Sequence, residues 1–170
     1  MSATIPGHAL FNLDRILVAF FNQASGVFDF SGYAGQPVQI VPGKYDLEKE
    51  LPLVICKTDT SDRGRAKNWT ATGRIIVRTP LLNDQGLTLE DESSALEFAV
   101  IAALENIVPI DDNPQPLCDA INAIATANDF DDFILTNFMI KGIESDDEDE
   151  FWQFTINFTA TVLNDSYNNT

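Results

Sequence analysis

The stretch Trp152-Gln153-Phe154-Thr155-Ile156-Asn157-Phe158-Thr159-Ala160-Thr161-Val162 decides the fold. Its even positions are apolar without exception, and its odd positions are all threonine, asparagine or glutamine. A strict period of two marks a strand with one buried and one wetted face. Upstream, Phe133 to Ile143 is a second apolar strand candidate, predicted to place Ile134, Phe138 and Ile140 on one face and Leu135 and Met139 on the other. Between the two lies Ser145-Asp146-Asp147-Glu148-Asp149-Glu150, whose charge predicts an unpaired, solvated turn. The chain therefore ends in a long antiparallel hairpin with no nucleophile–base pair beside it, as expected of a structural protein.

Working toward the N-terminus, the pattern alternates between helix and strand. His8 to Ala24 carries Leu10, Leu13, Leu17, Phe20 and Phe21 at helical spacing, with Asn12, Arg15, Asn22 and Gln23 off that stripe and Gly26 as a stop. Val27 to Gly35 is irregular, rich in aromatics and glycine. A short strand, Pro37 to Val41, precedes a Pro42-Gly43 turn. Leu51 to Thr58 is apolar on both faces (Leu53 and Ile55; Val54 and Cys56), which predicts an interior strand. Thr70 to Thr79 is the next, with Ile75 and Val77 on one face and Arg74, Ile76 and Arg78 on the other. The linker Asp59 to Trp69 is longer than a tight hairpin needs, and such loops are often functional.

Thr88-x-x-Asp91 has the form of a capping box with Asp for Glu. The helix it opens runs through Leu96, Ala99, Val100, Ala103, Leu104 and Ile107 to Pro109. From Phe98 to Leu104 it is apolar all round, which predicts the most buried helix, with Phe98, Ile101 and Leu104 against Phe154, Ile156 and Phe158. A shorter helix follows Asn113-Pro114-Gln115-Pro116, passing Ile121 and Ile124 and closing near Asn128. These stripes are buried most simply in one α+β domain spanning residues 1–170. Its core would be a single antiparallel sheet of about four strands, with helices on one face.

A chain of 170 residues, 45% hydrophobic and 21% charged, can bury a real core and is not disordered. No run approaches the ~20 apolar residues that span a bilayer, and Met1 to His8 has no signal-peptide pattern. Cys56 and Cys118 sit in apolar segments and are expected as reduced thiols in a cytoplasm. The sequons at Asn68, Asn157, Asn164 and Asn168 carry no weight without a secretory route.

The net charge of −16 is unevenly spread. Lys57, Arg63, Arg65, Lys67, Arg74 and Arg78 are opposed within their window only by Asp59 and Asp62, a net of +4. From Thr79 to Thr170, nineteen carboxylates face Lys141 alone, a net of −18. Such a chain repels nucleic acid through its bulk, yet a basic element on one copy can meet an acidic face on the next.

Catalysis finds little support. His8 is the only histidine, and nothing beside it completes a dyad. The acidic run lacks the ligand spacing and glycine of an EF-hand. Asp111-Asp112 and Asp131-Asp132 are sequence neighbours with no apolar pocket to split their pKa values. Gly32 and Gly35 do not form a phosphate loop. Arg63 to Trp69 combines cations with an aromatic, as single-strand binders do, but the acidic remainder favours an acidic protein partner. No enzyme, cofactor or metal site is expected.

The order of elements resembles the tail terminator and tail-completion proteins of long-tailed bacteriophages. The resemblance rests on the N-terminal helix, Val41-Pro42-Gly43, the Leu51-Pro52-Leu53-Val54-Ile55 strand, the strand pair with its extended loop, the alanine-rich helix, and the hairpin ending in Trp152-x-Phe154-x-Ile156-x-Phe158. It is one of pattern over nearly the whole chain, with no diagnostic motif. It implies a virion protein, assembled in the host cytoplasm, that forms a ring, usually a hexamer. The ring caps the head-proximal end of the tail tube, meets a head-completion or connector protein, and lets DNA pass without specific binding. Arg63, Arg65, Lys67, Trp69, Arg74 and Arg78 are then the interface candidates. Asp146, Asp147, Glu148 and Asp149, with the Asp129–Asp132 segment, are the lumen candidates. Competing expectations are a head-completion or connector protein of the same neck, and an acidic DNA mimic.

Overall fold

A computed structural model of the chain describes residues 9–24, 38–43, 52–63, 68–82, 86, 90–105, 117–130, 133–147 and 151–164. In chain order the elements are α1 (Ala9–Ala24), β1 (Gln39–Pro42), β2 (Leu53–Arg63), β3 (Asn68–Pro80), α2 (Glu90–Glu105), α3 (Leu117–Ala127), β4 (Phe133–Asp147) and β5 (Phe151–Asn164). The architecture is α+β, as the patterning predicts. The sheet has five strands in the order β1-β2-β3-β5-β4, not about four. It is also mixed: β1 pairs with β2 in parallel, and the other contacts are antiparallel. Four residues ending in Pro42 suit an edge, because proline cannot donate to a further strand.

β5 keeps its alternation. Phe154, Ile156, Phe158, Ala160 and Val162 are buried in one cluster with Ile75 and Val77 of β3 and Val54 and Cys56 of β2. α1 covers this face with Leu13, Ile16, Leu17, Phe20 and Phe21, and α3 adds Ile121 and Ile124. Gly73 lies beneath the Phe158 ring. A Cβ there would come within 2.6 Å of Phe158 Cζ and 2.5 Å of the Lys57 carbonyl oxygen, so only glycine permits this approach. The other face has a smaller apolar cluster of Leu53, Ile55 and Ile76, with Val41 against it. Both faces of β2 are thus buried, as expected of an interior strand.

β4 departs from its expected pattern. Phe133 and Leu135 are buried, Phe138 and Ile140 pack partly against the core, and Ile134 is exposed. The reason is a pair of register shifts, between Leu135 and Asn137 and between Ile140 and Gly142. Each inserts one residue and moves the following side chains to the opposite face. Ile134 and Phe138 consequently lie on opposite faces, not together. Near its start the strand is held by α3. The Asn122 side-chain amide donates to the Leu135 carbonyl at 2.9 Å and accepts from the Leu135 N–H at 2.7 Å, standing in for a neighbouring strand.

The end of α3 follows the αL pattern of a Schellman cap. Asp129 has φ 65°, the Phe130 N–H reaches the Ala125 carbonyl at 2.8 Å, and the Asp129 N–H reaches Thr126 at 3.2 Å. Phe130, buried, carries the Arg15 guanidinium 5.1 Å above its ring, which ties α1 to this corner.

α2 is the second correction. Leu96, Val100 and Leu104 are buried, but Phe98 is 63% exposed and Ile101 only half-buried. The helix packs one side on the core and leaves an apolar residue outside. His8, residues 27–35, Thr88, Pro109 and residues 111–116 fall outside the described residues.

Candidate assembly interface

The basic window is largely strand. Asp59 to Arg63 belongs to β2 and Asn68 and Trp69 to β3, with Arg63 in register with Trp69. The expected eleven-residue loop therefore shrinks to residues 64–67, because the alternating polar residues on either side pair with one another. Arg65 and Lys67 lie outside the described residues, and for Arg63 only the backbone is described.

Three candidates have partners within the chain. The Arg74 guanidinium grips Asp59 twice, Nε to Oδ2 at 2.8 Å and Nη2 to Oδ1 at 3.0 Å. A register shift between Thr58 and Thr60 frees Asp59 from the ladder beside Arg74. Arg78 donates from Nε to Gln153 Oε1 at 3.0 Å and stacks over the Phe151 ring at 5.2 Å. Trp69 is half-buried against the main core. Lys57, Arg74 and Arg78 alternate with Val54, Cys56, Ile75 and Val77, so these cations share the sheet face opposite the helices.

The acidic segment is also corrected. Ser145, Asp146 and Asp147 are not an unpaired turn; they continue β4, in register with Phe154, Gln153 and Trp152. Their partners are neutral, so no like charges face each other across the pair. Glu148 and Asp149 lie outside the described residues, as do Asp131 and Asp132. Asp129 stands just before the start of β4, and Asp146 and Asp147 at its far end. With fifteen residues between those ends, they are separated by roughly 45–50 Å at about 3.3 Å per residue. The two groups of lumen candidates are not one patch.

By register Arg63 and Asp146–Asp147 stand at opposite ends of the sheet, with Asp129 near the Arg63 end and Arg78 at the Asp146 end. Arg63 and Asn68 lie at the end where β5 finishes and β4 begins. Asp146 and Asp147 lie at the other end, with Pro80, Phe151 and the start of β2. The long axis of β3, thirteen residues, separates these ends by about 40 Å.

One buried polar group escapes a search for charge runs. Asp14, on the inner side of α1, is 6% exposed, and its Oδ1 accepts the Thr58 hydroxyl at 2.5 Å. It occupies the stripe position between Leu13 and Leu17, and a carboxylate at an apolar position was the available signal. Burial pushes the neighbouring Cys56 thiol well above its ordinary value, and the Asp14 charge adds to it. Cys118 is half-buried; burial raises its thiol most, Asp119 adds to this, and a hydrogen bond with the Phe138 backbone opposes it. Both thiols are free and poorly suited to act as nucleophiles. Among the described residues no three metal-ligating side chains gather, and no helix is long and apolar enough to cross a membrane.

Models of known protein families give no match to this chain, and neither do the sequences of curated proteins.

Proposed function

We propose that this protein is a structural virion component, a tail terminator whose copies form a ring, of six subunits by the resemblance, at the head-proximal end of a phage tail tube. The observation that carries this reading is the uneven charge along the chain, +4 from Lys57 to Arg78 and −18 from Thr79 onward, with Arg63 and Asp146–Asp147 at opposite ends of the sheet by register. A ring of identical copies needs two different complementary surfaces on each subunit, and a basic window beside an acidic remainder supplies such a pair. The −18 balance from Thr79 onward gives any channel built from these copies a field that repels phosphate, so DNA slides through without sticking. The tube ring below and a head-completion or connector protein above are the partners this position requires. A connector of the same neck would share all of this physics and differ in its partners.

Arg63→Glu, Arg65→Glu and Lys67→Glu together test the reading. The triple variant is expected to fold as a monomer and to lose ring or tail assembly. Assembly of the native protein is expected to weaken toward 1 M salt, where the Debye length is about 3 Å. Light scattering after size exclusion measures both. A native protein that stays monomeric or dimeric at high concentration would favour the DNA-mimic class instead.

A further inference from the structure

We draw no further inference here: the strongest candidate, the outer edge of β4 at the end of the sheet, along which Ile134, Met139 and Ile143 are exposed, carries nothing because nothing in the structure shows what covers it.

Discussion

β5 and β4 are neighbours of nearly equal length, fourteen and fifteen residues, and they obey different rules. β5 is paired along both sides and holds one phase from Trp152 to Val162. β4 is an edge strand that changes phase twice, so that Leu135, Phe138, Ile140 and Ile143 come to face Val162, Ala160, Phe158 and Ile156. An interior strand cannot slip without breaking ladders on two sides, whereas an edge strand can absorb an extra residue at the cost of one local irregularity. Bulges also make an open edge a poorer template for unwanted pairing, and the Asn122 amide occupies part of it.

The sharpest break of this comparison lies where the two strands meet. Phe158 of β5 is fully buried, and Phe138 of β4 stacks on it with ring centroids 4.8 Å apart and planes at 22°. Phe158→Ala should cost roughly 3–5 kcal/mol, because it opens a cavity above Gly73 as well as removing the stack. Phe138→Ala should cost clearly less, since that ring is only partly buried at the edge of the core. Urea melts of the two variants check the order. Equal losses would mean that β4 is as tightly built as β5 and that its bulges do not loosen the edge.

The same contrast explains what the sequence shows and what it hides. The element order, the core face of β5, both faces of β2 and the stripe of α1 follow from periodicity alone, because burial imposes a period on each. Periodicity could not foresee Ile134 turning outward, since a bulge is visible only against the partner strand. Nor could it foresee Phe98, since an all-apolar helix has no polar face to say which side is covered. Charge runs misled in both directions. The basic linker and the acidic run look unpairable as strings, yet Thr60–Arg63 and Ser145–Asp147 pair in the ladder because the residues across from them are uncharged. Of the interface candidates, Arg74 and Arg78 are taken up by Asp59, Gln153 and Phe151, which lie far away in sequence or beyond a register shift.

A smaller effect sharpens the account of the edge. Asn122→Ala removes both bonds to the Leu135 backbone and leaves a partly buried N–H and C=O without that partner. The loss should be about 1–2 kcal/mol. Hydrogen exchange should locate it: the Leu135 amide gains exchange rate by tenfold or more, while the amides of β5 keep their protection. Uniform acceleration across both strands would show that the edge and the interior open as one unit.

The smallest expected effect on folding belongs to the far end of the hairpin, and there the comparison turns into a question of function. Asp146 and Asp147 sit on the edge strand in register with the neutral Gln153 and Trp152. Changing Asp146, Asp147, Glu148 and Asp149 together to Lys should shift stability by no more than about 0.5 kcal/mol, since the ladder partners of Asp146 and Asp147 carry no charge. The local charge, however, moves by eight units, four carboxylates lost and four ammonium groups gained. If this end of the sheet faces a DNA channel, the variant should retain duplex DNA at low salt and release it as salt rises, since each neutralised phosphate frees a counterion. An assembled particle carrying it should eject DNA more slowly. Single substitutions should do neither, because repulsion is a property of the summed field and not of one carboxylate. Ejection at the normal rate from a particle with all four lysines would move this end of the hairpin to the outside of the ring, where its acidity would serve solubility alone.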